Sequence, residues 1–102
     1  INDIIKINIK YKTDTEGNAA QFLNPEQTTG GKYEYFFTMS VLIIGRELLP
    51  SQDTPAVKFP FYLGLKVKKE LNGMISGIFD KVEEGESSRT FFYKQIIPIP
   101  NY

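Results

Sequence analysis

The chain has 102 residues, 41% hydrophobic and 14% aromatic, with twelve basic and twelve acidic side chains and a formal net charge of zero. That gives one small domain with a modest core, and no electrostatic pull toward nucleic acid or an anionic membrane. The absence of Cys and His removes disulfides, thiolate zinc sites, the commonest zinc ligand and the usual general base, so no catalytic and no metal-ligating residue is assigned within the chain. No Asn-x-Ser/Thr acceptor and no long apolar run occur, so secretion and membrane spanning lack support, and a cytoplasmic or other intracellular location is the default expectation. The sequence opens on Ile1 without Met and closes on the apolar tail Ile96 to Tyr102; both ends read as cuts in a longer polypeptide.

In chain order, Ile5, Ile7, Ile9 and Tyr11 alternate with Lys6, Asn8, Lys10 and Lys12, the period of a strand with one wet face. Thr13 to Asn18 is turn chemistry. Ala19 to Leu23 is short and ambiguous. Asn24 to Gly31 is a loop whose two glycines are free to take positive φ. Tyr33 to Ile44 carries apolar groups on both faces and reads as a strand covered on both sides. Its aromatic and β-branched content favours strand, although periodicity alone leaves helix open. Gly45 and Arg46 then suggest a bend or bulge.

Leu49 to Lys58 holds two prolines five residues apart around a polar knot. Each Pro fixes its own φ and pushes its predecessor out of the helical region. Thr54 is placed to cap a single helical turn with Pro55 at its first position. A rigid corner between two strands follows. Phe59, Phe61, Leu63, Leu65 and Val67 alternate with Pro60, Tyr62, Gly64, Lys66 and Lys68, and Pro60 argues for an edge strand or a strand start. Leu71 to Phe79 and Thr90 to Ile97 read as two further strands of a hairpin, joined by the acidic stretch Asp80 to Ser88. The fold expected is all-β with at least five strands.

Three blocks carry a family resemblance: Phe22 to Gly30, Leu49 to Lys58, and Ile97 to Tyr102. Through them, and the weaker similarity between, almost the whole chain resembles the amino-terminal domain of the leukotriene A(4) hydrolase-like zinc aminopeptidases of peptidase family M1, which also have epoxide-hydrolase activity. The resemblance implies that residues 1–102 are a piece of a saddle-like domain of antiparallel or mixed β-sheet. It also implies that the chain's partner is the catalytic domain in the remainder of its own polypeptide. The zinc motif of that domain, His-Glu-x-x-His with a distant Glu, is not in this sequence. The cofactor expectation is therefore none in this chain, and zinc in the parent if its catalytic domain is intact.

In the family a Gln-x-Gln-Ala segment lines the substrate cleft. Aligned through Arg46 and Pro50 it falls on Met39, Ser40, Val41 and Leu42, which makes Met39, Val41 and Leu42 the candidate substrate-binding residues. Both carboxamides are replaced, and a valine has none of the donors and acceptors of an amide. Read from residue type alone, the same segment is ordinary buried strand. Arg46, Glu47 and Asp53 read as a corner tied by side chain to backbone bonds rather than an active-site cluster. Lys66, Lys68 and Lys69 against Glu83, Glu84 and Glu86 read as a solvated hairpin face. Tyr33, Tyr35, Phe36 and Phe37 lack the basic surroundings of a base-stacking platform. Two functions follow: part of an active aminopeptidase, or a catalytically inactive relative that binds or scaffolds other proteins of an assembly. The downstream metal motif separates them.

Overall fold

The computed structural model describes residues 3–14 and 16–102. The described residues are all-β, with five strands in two antiparallel sheets. Strands β1 (Ala20–Leu23) and β2 (Tyr35–Thr38) form the first; β3 (Phe59–Lys68), β4 (Ile78–Glu84) and β5 (Ser88–Ile99) form the second, in the order β3-β5-β4. Among the described residues the helical segments are two single 3-10 turns, Pro25–Gln27 and Gly45–Glu47, and no helix is long and apolar enough to cross a membrane.

The second sheet follows the hydrophobic alternation closely. Along β3 half-buried and exposed residues alternate without a break, with Phe61, Leu63, Leu65 and Val67 inward. Opposite them on β5 stand Gln95, Tyr93, Phe91 and Arg89. A strand paired on both edges is shielded most, so Phe91 and Tyr93 of central β5 are the large buried side chains. Pro60 falls on edge strand β3 at the irregularity between Phe59 and Phe61, where a missing N–H costs no ladder bond.

Because β3 and β4 are the two edges, the connection between them has to cross β5. It does so over the inner face: Tyr93 Oη donates to Gly73 O at 2.9 Å and Gln95 Nε2 to Ser76 O at 3.4 Å. Gly73 is buried, and a Cβ there would lie 2.7 Å from Leu65 Cδ2 and 3.1 Å from Phe91 Cδ2. Only a residue without a side chain lets the crossing backbone lie this close. At the end of the face Arg89 stacks over Phe91, 5.0 Å from ring centre, and donates to Glu84 and Asn72.

The hairpin differs from its sequence reading. The segment 71–77 is the crossing rather than a strand, and β4 begins at Ile78 and runs through the acidic residues to Glu84. The turn is short, closed by Gly85 N donating to Ser88 O at 2.8 Å. A bulge between Phe79 and Lys81 explains why the alternation was hidden: Phe79 pairs with Tyr93 and Lys81 with Phe92, leaving Asp80 as an extra residue. Asp80 then accepts from Tyr62 Oη and Lys94 Nζ on the outer face. These bonds, Lys94 first, hold its carboxyl below the ordinary carboxylate value.

The amino-terminal half departs further. No strand forms over 5–12, and Ile5, Ile7, Ile9 and Tyr11 are exposed. Alternation supplies a face but not a neighbour, and a strand needs both. Thr15, within the expected turn at Thr13 to Asn18, lies outside the described residues, as do Ile1 and Asn2. Ala20–Leu23 resolves as strand, paired antiparallel with Tyr35–Thr38. Gly30 and Gly31 adopt the expected positive φ, 85° and 60°. The long strand Tyr33 to Ile44 is cut to four residues and is not covered on both sides: Met39, Val41, Leu42 and Ile43 are all exposed. The corner is a string of turns leading into β3. Thr54 O accepts from Val57 N at 3.1 Å, one turn but not a helix.

A compact 11.7 kDa protein exposes about 5,900 Å² by the usual mass scaling, whereas this chain exposes 8422 Å². Its radius of gyration is 15.5 Å, where about 13 Å is usual for this length. Among the described residues the core holds Ala19, Ala20, Phe91 and Tyr93, and no large side chain is fully buried.

Candidate functional site

The segment from Met39 to Ile44 begins where the first sheet ends. Met39 N donates to Ala19 O at 3.0 Å, one rung beyond the last strand pair, Ala20 with Thr38. Ala19, Ala20 and Ser40 are buried, small residues where backbones approach. Met39 and Val41 flank buried Ser40 and are themselves 50% and 46% exposed. The chain then reverses in a turn closed by Ile44 N donating to Val41 O at 3.3 Å. Leu42 lies in that turn with φ 56° and 80% of its surface exposed. For a residue other than glycine this conformation costs roughly 1–2 kcal/mol, and such strain concentrates at binding and switch segments. The three candidate residues thus lie together on an open apolar ledge, and the buried-strand reading of them is corrected.

Behind the ledge stands the corner. Asp53, its side chain 3% exposed, accepts from Arg46 N at 3.0 Å and from Arg46 Nε at 3.2 Å, while Arg46 Nη2 reaches Asp53 O at 3.4 Å. Glu47 Oε2 accepts from Asn18 N at 2.7 Å and Ala19 N at 3.3 Å, tying the corner to the start of β1. Arg46, Glu47 and Asp53 are therefore engaged in holding backbone, as the turn reading expects. One contact was not legible. Asn101 Nδ2 donates to Ser51 Oγ, and its carboxamide packs against buried Gly45. These residues stand about fifty positions apart, and no local pattern joins them.

Other candidates come apart in space. Phe36 and Phe37 are consecutive in β2 and point to opposite faces; Phe36 pairs with Phe22 across the sheet at 4.7 Å and Phe37 with Tyr35 at 5.8 Å, so no single platform exists. The lysines and glutamates of the hairpin are exposed and find scattered partners, Lys68 with Glu34, Lys81 with Glu83, and Glu84 with half-buried Arg89. An open concavity of about 270 Å³ lies beside the corner, between Ile9, Tyr11, Leu48 and Pro50, away from the ledge. Among the described residues no three acidic side chains converge as metal ligands. Carboxylates alone also suit harder cations better than zinc. The residues present do not fit a zinc site.

The described residues thus offer an all-β piece with an exposed apolar ledge and no cluster of metal-ligating side chains. No family model matches the chain. It is 37% identical over 99 residues to a leukotriene A-4 hydrolase of Xenopus laevis, covering 94% of this chain and 16% of the relative. It is 36% identical over 106 residues to a leucine aminopeptidase 2 of Coccidioides immitis, covering 100% and 17%, and 33% identical over 97 residues to a leucine aminopeptidase 2 of Lodderomyces elongisporus, covering 95% and 14%. The chain belongs to this family of leukotriene A-4 hydrolase and leucine aminopeptidase 2 proteins, and it spans about one sixth of the length of the curated relatives it matches.

Proposed function

We propose that the chain is a non-catalytic β-sheet segment of a leukotriene A-4 hydrolase-like aminopeptidase, in which Met39, Val41 and Leu42 form one wall of the substrate cleft. The observation that carries the reading is the exposed ledge in a chain with end-to-end similarity to aminopeptidases. The excess of roughly 2,500 Å² over a compact monomer also matches the area one side of a large obligate interface covers. The occupant of that area is the rest of the polypeptide, which in this reading supplies the zinc and the general base.

The ledge's chemistry then sets substrate handling. By the resemblance, a thioether and an isopropyl group stand where the family's Gln-x-Gln-Ala segment would present carboxamides, so in this reading a bound peptide's backbone groups lose partners there. Each one left unsatisfied costs about 1–3 kcal/mol, or roughly ten- to a hundredfold in transition-state stabilisation. The full-length polypeptide is expected to bind zinc and release amino-terminal residues weakly. The double substitution Met39→Gln and Val41→Gln is expected to raise that activity at least tenfold. Strong activity that the double substitution leaves alone or lowers would remove these positions from the cleft. No activity and no zinc in either form would replace the enzyme reading with the scaffold one.

A further inference from the structure

The two sheets share little packing, and the ledge belongs to neither. We infer that Asn101 is a positioning residue: its carboxamide pins the end of the second sheet into the corner and thereby fixes the ledge at residues 39–44. Three observations converge on it. First, Asn101 Nδ2 bonds Ser51 Oγ across fifty residues. Second, the carboxamide occupies the space a side chain at position 45 would need. A Cβ on Gly45 would stand 2.9 Å from Asn101 Cγ, 3.0 Å from Nδ2, and closer still to Oδ1, so the amide would have to move. Gly45 is buried, so the glycine and the amide fit as socket and pin. Third, Asn101 follows directly on the strand end at Ile99 and Pro100, where Ile99 pairs with Phe59, the first residue of β3 after the corner. The pin therefore draws the exit of the corner and its entrance together.

What it holds is the 3-10 turn. Gly45 O accepts from Leu48 N at 3.0 Å and Leu49 N at 3.2 Å, and Ile44 O from Glu47 N at 3.0 Å. Ile44 also closes the Val41 turn at whose tip Leu42 sits in its left-handed conformation. A shift at Gly45 has two residues in which to dissipate before it reaches Leu42. Asn101 Oδ1 is buried and has no hydrogen-bond partner among the described residues, a cost borne by a group whose shape, more than its bonding, is in use. The role in substrate handling rests on the cleft reading proposed above; the pin itself does not.

The test uses the full-length polypeptide and amide hydrogen exchange. Asn101→Ala is expected to accelerate exchange at Glu47, Leu48 and Leu49 at least tenfold, with the β5 amides of Phe91 and Tyr93 within twofold of wild type. Ser51→Ala, a milder change, is expected to do the same by a smaller factor. Gly45→Ala should accelerate the same amides, and Asn101→Gly in that background should add nothing further, since the overlap is then relieved. In the active enzyme Asn101→Ala should raise KM for a peptide substrate at least fivefold with kcat within twofold, because the ledge contributes to binding rather than to the chemical step. Unchanged exchange at Glu47, Leu48 and Leu49 in both Asn101→Ala and Ser51→Ala overturns the inference, as does Gly45→Ala and Asn101→Gly acting additively. A polypeptide without activity overturns the cleft reading instead and leaves the exchange measurement to decide the pin.

Discussion

The two halves of the chain differ in how much cover they give their apolar residues. From Phe59 onward, strands pair along their length and Phe91 and Tyr93 are covered by a crossing loop, although Tyr62, Met74, Ile78, Ile96 and Ile97 stay exposed. Before Phe59, aliphatic and aromatic side chains of similar hydrophobicity stand exposed at Ile5, Ile7, Phe22, Val41 and Ile43. Composition does not separate the two; supply of neighbours does. The later half brings its own third strand and its own lid, whereas the earlier half has two short strands and a ledge.

Substitutions can break or sharpen that contrast. Phe91→Ala should cost about 3–5 kcal/mol, the range for truncating a buried Phe, while Ile43→Ala in the chain by itself should stay within roughly ±0.5 kcal/mol. Native-state exchange of β5 amides measures the first. If Ile43→Ala in the full-length polypeptide costs as little as in the chain alone, the ledge has no cover there and the contrast is intrinsic. Next, Gly73→Ala should cost about 1–3 kcal/mol by overpacking, read as loss of protection at β3 and β5; a neutral result would mean the lid lifts freely.

Asp53→Ala should cost about 0.5–2 kcal/mol, the scale of a lost cap, because Arg46 N loses its acceptor. Denaturant titration showing no change would make the corner self-supporting. The smallest effect is at Asp80. Its lowered carboxyl pKa, from Lys94 and then Tyr62, means its contribution is complete above the ordinary value of 3.8 and is lost as pH falls through the lower folded value. A slight weakening of β3–β5–β4 pairing is expected only below about pH 4, and Asp80→Asn should abolish that acid-side step.

How much of this was readable follows from range. Phe59 to Lys68 was legible to the residue, because period-two alternation and Pro60 are local signals. That Arg46, Glu47 and Asp53 tie backbone at the corner was also legible as turn chemistry, although the pairing of Asp53 with Arg46 was not. The β4 boundaries were not, since a single extra residue at Asp80 breaks the alternation that would have marked the strand. Over 5–12 the alternation is complete yet no strand forms, because pairing depends on a neighbour that periodicity does not name. The exposure of Met39, Val41 and Leu42 was not legible from residue type: the segment looks like core, and it is exposed where the strand ends and the chain turns at Leu42. The Asn101 contact had no signal at any range.

The bulge at Asp80 has a consequence for chain length. Between Phe79 and Lys81 strand β4 carries one residue more than β5 opposes. Removing Asp80 would leave Phe79 opposite Tyr93, Lys81 opposite Phe92 and Val82 opposite Phe91, every side chain on its present face. Removing Thr90 from β5 would instead turn one end of that strand inside out against both neighbours. In a lineage that gains and loses codons, β4 therefore has a place where a one-residue deletion is silent in register, and it lies on an edge strand.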